Sequence, residues 1–440
     1  MAAPGSLNMA IDSPDTVVSL SVEGIIDARD IRFIADSMKS IRHLDLTMTA
    51  IAAFGDEPAG HIPACAFAGC LLSAIAFPAE CEISIGDMAF MDSGLAALDI
   101  PESVTSIGTG AFAGCRDLNE VSISGKTVMR DHAFADCMSL TRLCLMRVDS
   151  IPEAAFSACG KLAELTGEEN LRHIGAKTFE GCQSLESFKF GSQLSYLGDG
   201  AFAHSGLTAV DLSECSMAGG LSPWAFAHCY SLQTVKLPVT AETIGEGALF
   251  DDFSLSELSL PDGVTDIFDV ALSGASTLDS ISMPSALESI GSLAMNRLES
   301  LSVLNAERLT SVPLLGDDVW SGVDCAAVRL LVADAMTDDF SAASQWNEFN
   351  IVNAGGLSSA RDAISDNPAV TYSIDGKHLT ISSPLILKAV RICDIAGRVL
   401  TFAIPGENEY NYEISPGHSV LLIETSTADG LTTSDKILTN

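Results

Sequence analysis

Basic residues are scarce in this chain. Lysine and arginine number 23 against 58 aspartates and glutamates, a formal net charge of −35 over 440 residues. Such a surface repels nucleic acid and anionic membranes, which excludes binding by phosphate neutralisation. Charge of any sign is also modest, at 18%, while apolar residues make up 47%. The chain is therefore not an acidic disordered polymer, and it has material for a large core. Aromatics reach only 6%, and phenylalanine supplies 19 of them against five tyrosines and three tryptophans. Glycan and single-strand binders need exposed aromatic platforms, and few are on offer. No apolar run approaches the roughly 18 residues of a membrane-spanning helix. Met1–Ser6 has neither a basic segment nor an apolar one, so it does not read as a signal peptide. Residues 1–16 are expected to be a flexible N-terminus or an extension joined to a mature start. Twelve cysteines in a chain of this length do not make a small disulfide scaffold, and no Cys-x-x-Cys pair occurs. That argues against a zinc knuckle or a thioredoxin-type motif.

Repetition is the dominant signal. Ile107-Gly108 leads to Ala111-Phe112, then Cys115, Leu118, Val121 and Ile123. Ile174-Gly175 leads to Phe179, then Cys182, Leu185 and Phe188. The key aromatic falls at Phe67, Phe90, Phe112, Phe134, Phe156, Phe179, Phe202 and Phe226, and Leu249, Leu272 and Met295 continue the column. Each unit is 22–24 residues long, and residues 57–315 hold eleven of them. One unit cannot bury its own apolar stripe, but stacked units can.

The end of each unit, such as Leu232-x-x-Val235-x-Leu237, alternates with a period of two, the mark of a strand with one buried face. Prolines at 78, 101, 238, 261 and 284 close several of these strands. The Ala-Phe-x-x-Cys segment is too short for a full helix and is expected to form a helical or 3₁₀ turn. The predicted fold is thus an α/β solenoid of short strands and tight turns, roughly 50 Å long at ~4.8 Å per stacked strand. The cysteine column (Cys70, Cys115, Cys137, Cys159, Cys182, Cys229) is read as buried free thiols. Ser93, Ser205, Asp252 and Ala275 take the same place elsewhere, which disulfide bridging would not tolerate.

The pattern Ile-Gly-x-x-Ala-Phe-x-x-Cys-x-x-Leu-x-x-Val-x-Leu-Pro resembles the BspA-type leucine-rich repeat family of bacterial surface proteins. The resemblance covers about residues 57–305 and implies adhesion to host or neighbouring-cell proteins. Residues 17–56 are expected to form an N-terminal cap. Val18–Val22 and Ile41–Leu46 read as strands, and Asp27 can cap a helix over Ala28–Met38. The wording Gly24-Ile-Ile-Asp27-Ala-Arg-Asp30 resembles the cap of Bacteroidetes members. Residues 316–352 read as a C-terminal cap, with an amphipathic helix carrying Phe340, Ala343, Trp346, Phe349 and Val352. Residues 353–367 read as a linker. Residues 368–440 read as a small β-sandwich with turns at Asp375-Gly376 and Pro416-Gly417. The segment Val390–Val399, together with Pro416–Ile423 and Lys436-Ile-Leu, resembles the C-terminal sorting domain of type IX secretion, which implies a location outside the cytoplasm.

Chemistry is thin. Gly108-Thr-Gly110 and Gly198-Asp-Gly200 lack a following lysine or long helix and read as turns between units. Nucleophile-elbow, zinc-protease and EF-hand patterns are absent. The chain is expected to be non-enzymatic and to need no cofactor. One constellation stands out. His204, His228 and Asp251 occupy the same position, two after the core column, on successive turns about 5 Å apart. Two imidazoles and a carboxylate suit a transition metal, but a polar ladder on a solvated edge explains them as well.

The outward strand positions, including Ala97/Asp99, Glu120/Ser122, Arg142/Cys144, Glu164/Thr166, Ser187/Lys189, Ala209/Asp211, Thr234/Lys236 and Glu257/Ser259, form a broad face without aromatics. A face of small polar groups suits protein contact better than sugar stacking. The expected partner is an extracellular protein, met through Glu120, Glu164, Asp211 and Glu257. The alternative, glycan capture within a polysaccharide-uptake system, would require an aromatic cluster.

Overall fold

The computed structural model describes residues 4–353, 370–375, 378–383, 386–394, 399–403, 405–413, 420–427 and 432–438. The chain divides into two compact units. The first comprises Met1–Asp279, Pro284–Leu301 and Pro313–Asp324; the second comprises Ser280–Met283, Ser302–Val312 and Cys325–Asn440. No helix among the described residues is long and apolar enough to cross a membrane.

The first unit opens with a strand–helix–strand motif: Ser19–Ile26, the helix Ala28–Ser37, and His43–Ile51 parallel to the first strand. The helix starts at Asp27 because its carboxylate accepts the Arg29 backbone N–H at 2.9 Å, while Asp30 reaches back to the Asp27 N–H at 3.1 Å. This reciprocal capping satisfies donors that an uncapped first turn leaves open. The helix buries Ile31, Ile34 and Ala35.

Each following turn has three sides. The first is the expected strand, stacked in parallel: Ala97–Ile100, Glu120–Ile123, Arg142–Leu145 and Glu164–Thr166 form one ladder. Ala209–Asp211, Thr234–Lys236 and Glu257–Ser259 form another. Residues 187–189, expected to continue this face, are not in a strand. The second side is a ladder that the alternation pattern does not reveal. It consists of two-residue strands such as Ser150–Ile151, His173–Ile174 and Tyr196–Leu197. Each isoleucine or leucine points inward while its neighbour stays exposed.

The third side carries the phenylalanine column. From Phe67 to Phe226 the rings stack at 5.0–5.8 Å between centroids, and every one is fully buried. Burying such a side chain contributes about 1.5–3 kcal/mol per turn. Backbone bonds run the same way. Gly110, Phe112 and Gly114 donate N–H groups to the carbonyls of Asp131, Ala133 and Ala135 one turn ahead. Within the turn, Ala111, Ala113 and Cys115 donate three residues back. Meeting both demands requires left-handed backbone two residues before and two after the core residue. That is where φ lies between 50° and 60° at His132, Asp136, Ala154, Ala158, His204, Trp224, His228 and Asp251. The Ile-Gly step has a different cause, close approach: a Cβ on Gly175 would lie 2.6 Å from the Glu153 nitrogen.

All twelve cysteines are free. In the column, the thiols of Cys115, Cys137, Cys159, Cys182 and Cys229 each donate to the carbonyl of the phenylalanine one turn back, at 3.2–3.4 Å. Burial pushes the thiols of Cys115, Cys182 and Cys229 up to about 12. The core column runs past Met295: its N–H donates to Val319, and Trp320 is buried as a further rung.

In the second unit, Ser280–Ser282, Val303–Asn305, Arg329–Val332 and Asn350–Asn353 stack in parallel. The amphipathic helix expected before residue 352 is instead a short helix, Thr337–Ala342, a 3₁₀ turn, Trp346–Glu348, and a strand, Asn350–Asn353. A strict three-residue apolar spacing drifts off a 3.6-residue helix. The chain also turns left-handed at Gln345, with φ at 63°. Phe340, Trp346 and Phe349 are buried all the same.

The C-terminal part forms two antiparallel sheets. One joins Thr371–Asp375, His378–Ser382 and Glu409–Glu413; the other joins Val399–Ala403, Leu387–Asp394, Val420–Thr427 and Thr432–Leu438. Leu379, Ile381, Leu387, Val390, Ile392, Leu421 and Ile423 make their shared core. The linker expected at 353–367, beyond Asn353, lies outside the described residues. So do Met1–Ala3, Gly376, Gly397-Arg398 and Pro416-Gly417.

Candidate functional site

The strand face brings the four acids together in two groups. Glu120, Arg142 and Glu164 stand side by side in register. Asp211 is beside Lys236, and Glu257 is beside Thr234. The charge of this face is mixed. Glu120 pairs with Arg142 at 2.9 Å and Asp211 with Lys236 at 3.3 Å, both exposed. Asp211 also accepts the Ser213 hydroxyl at 2.6 Å, which, ahead of Lys236, holds its carboxyl below the usual range. Exposed pairs of this kind contribute little to stability, about 0.2–1 kcal/mol, but they cancel charge locally.

The histidine column lies on the turn side. His204 and His228 stack at 4.5 Å with planes 11° apart. Imidazole lone pairs lie in the ring plane, so two near-parallel rings do not converge on one ion at the ~2.0–2.1 Å of a metal–nitrogen bond. Among the described residues no group of three His, Cys, Asp or Glu side chains is arranged to hold a metal. Asp251 instead reaches His228 at 3.9 Å and Arg297 at 3.4 Å. Burial, then the neighbouring His204, lowers the His228 pKa, outweighing Asp251. The charged partner of Asp251 at neutral pH is therefore Arg297.

Around this column lies an aromatic cluster that the strand pattern does not disclose. Trp224 meets Phe250 edge-on at 5.6 Å, Phe250 meets His228 at 5.3 Å, and Tyr230 stacks on Phe253 at 5.6 Å. Trp224, Tyr230 and Phe253 are exposed. These rings come from different columns of two adjacent turns, so no single periodicity joins them. Reading each turn position against its neighbours is the signal that finds them: Gly110, Ala154, Gly200 and Gly247 stand where Trp224 does, and Gly160 stands where Tyr230 does. Beside the cluster runs an exposed acidic column, three residues before the core position: Asp87, Asp131, Glu153, Asp199, Glu246, Asp269 and Asp317.

The BspA type leucine-rich repeat region matches residues 57–147, 149–246 and 216–321, in six copies. A leucine-rich repeat protein from Bacteroides ovatus has a similar structure, with a TM-score of 0.59 at 22% identity, over 78% of this chain and 85% of that one. The pneumococcal vaccine antigen PcpA aligns over 77% of this chain and 85% of its own at 18% identity, with a TM-score of 0.37. A leucine-rich cell surface protein from Faecalibacterium prausnitzii aligns over 76% and 86% at 17% identity, with a TM-score of 0.31. No curated protein matches the sequence. The repeat match spans more than half of the chain and falls on its stacked turns: this protein belongs to the BspA type leucine-rich repeat family.

Proposed function

We propose that this chain is a non-enzymatic binding protein of the cell exterior that holds an extracellular protein against its repeat surface. The observation that carries this reading is the register of the strand face. Ala97, Glu120, Arg142 and Glu164 stand in line on four successive turns, all exposed. A surface built by repetition offers contact area without a cleft, and a standard interface takes about 800 Å² per partner. Location outside the cytoplasm is supported by the repeat family and by the resemblance of residues 390–399 and 416–423 to a type IX sorting domain.

The test is a binding screen against purified extracellular-matrix proteins and, in parallel, polysaccharides. The wild-type chain is compared with a variant carrying Glu120→Ser, Glu164→Ser, Asp211→Ser and Glu257→Ser. Capture of a protein, weakened about tenfold or more in the variant, supports the strand face. Unchanged affinity rejects that face, and capture of polysaccharides alone rejects a protein partner.

A further inference from the structure

Tyr230 ends a short pillar of stacked groups. Its ring lies 5.6 Å from that of Phe253 and within 5° of parallel. The guanidinium of Arg297, reaching from two turns further on, sits 5.7 Å from the Phe253 centroid. Asp251 holds that guanidinium at 3.4 Å. On the other side of Tyr230 the pillar lacks a rung. The stretch from Phe202 to Leu207 is one residue shorter than that from Phe226 to Leu232. The shortened turn passes through Gly206, where a Cβ would come within 2.2 Å of the Gln183 carbonyl oxygen. No side chain can stand there, and Tyr230 is left 53% exposed.

We propose that the open face of Tyr230 receives an arginine side chain from a partner protein. This rests on reading the chain as a protein binder, but not on the strand face. The same arrangement occurs twice within the molecule. Arg297 is stacked near Phe253 and paired with Asp251; Arg29 sits 4.1 Å over Phe54 and pairs with Asp27 at 2.6 Å. The negative face of an aromatic ring attracts a cation, and a planar guanidinium stacks where a compact ammonium does not. The −35 charge of the chain draws basic partners from a distance. A neutral sugar ring would use the aromatic face but gain nothing from that long-range attraction.

The experiment titrates the full chain by calorimetry with three probes: a capped glycine–arginine pentapeptide bearing two arginines, its lysine counterpart, and laminarihexaose. Each is repeated on Tyr230→Ala and Tyr230→Phe, with thermal melts to confirm folding. The expected result is arginine-peptide binding at least about fivefold tighter than lysine-peptide binding, lost by about that factor in Tyr230→Ala and retained in Tyr230→Phe. No arginine-peptide binding, equal affinity for arginine and lysine, indifference to Tyr230→Ala, or Tyr230-dependent binding of laminarihexaose alone would each overturn the proposal. A protein partner whose affinity survives Tyr230→Ala would overturn it while leaving the broader reading intact.

Discussion

Asp252 accepts the backbone N–H of Cys229 at 2.8 Å, from the place where most other turns keep a thiol or a hydroxyl. A thiol in that place donates to the carbonyl one turn back, as Cys229 does to Phe202 at 3.2 Å. An ionised carboxylate has no proton to donate, and Oδ2 of Asp252 is buried without a hydrogen-bond partner. Burial is the main reason its pKa is raised well above 3.8. Below that value both folded and unfolded chains hold the proton. As pH rises the unfolded chain releases it first, so the contribution of Asp252 to stability falls from pH ~4 upward until the folded group also ionises. Asp252→Ser should therefore be more stable than the wild type at pH 7 by about 1–3 kcal/mol. The difference should shrink toward pH 4. Chemical denaturation across pH 4–8 checks this, and a pH-independent difference would contradict it.

The phenylalanine ladder makes a second prediction. Phe156 is fully buried between Phe134 and Phe179 at 5.3 and 5.8 Å. Phe156→Ala should cost ~3–5 kcal/mol, as truncation of a core aromatic does. A loss of a few tenths by equilibrium unfolding would mean that the neighbouring turns close the gap.

Backbone conformation yields a paired prediction. Ala158 holds φ at 60°, which costs an ordinary residue about 1–2 kcal/mol, while glycine adds about 0.5–1 kcal/mol of chain entropy. Ala158→Gly should be neutral to stabilising by up to about 1.5 kcal/mol. Gly175→Ala should destabilise by about 1–3 kcal/mol, because its Cβ meets the backbone of the preceding turn. Melting both variants against the wild type checks the opposite signs.

Thiol chemistry separates the cysteines by burial. In denaturant without reductant, all twelve should react with a thiol reagent. In the folded chain, Cys65 should react first, followed by the part-exposed Cys70, Cys81 and Cys144. The eight buried thiols should lag far behind, since a reagent reaches them only when the turns open. Missing thiols in the denatured chain would mean bridges.

Much of this architecture is legible in the sequence for a physical reason. A core column that must stack repeats at nearly constant spacing, so Phe67 to Met295 stands out by eye. The second ladder does not, because two-residue strands such as His173–Ile174 are too short to show alternation. The left-handed positions hide in plain view. Gly69, Asp92, Gly114, Asp136, Gly181, His204, His228 and Asp251 share one column, and they include the residue types that tolerate positive φ best. The aromatic cluster escapes because Trp224, Tyr230, Phe250 and Phe253 belong to three different columns and meet only once the turns are stacked. The segment 337–353 misleads for the opposite reason: a regular spacing of three imitates helix periodicity.

The central claim is that this acidic chain uses its repeat surface to recognise a protein drawn to it by the charge of the whole molecule. The most direct measurement is the association rate of the captured extracellular protein at neutral pH, across 50–500 mM sodium chloride. Steering by a surface of net charge −35 predicts an association rate that falls steeply with salt while the dissociation rate changes little. An association rate that stays flat or rises across that range would contradict the account.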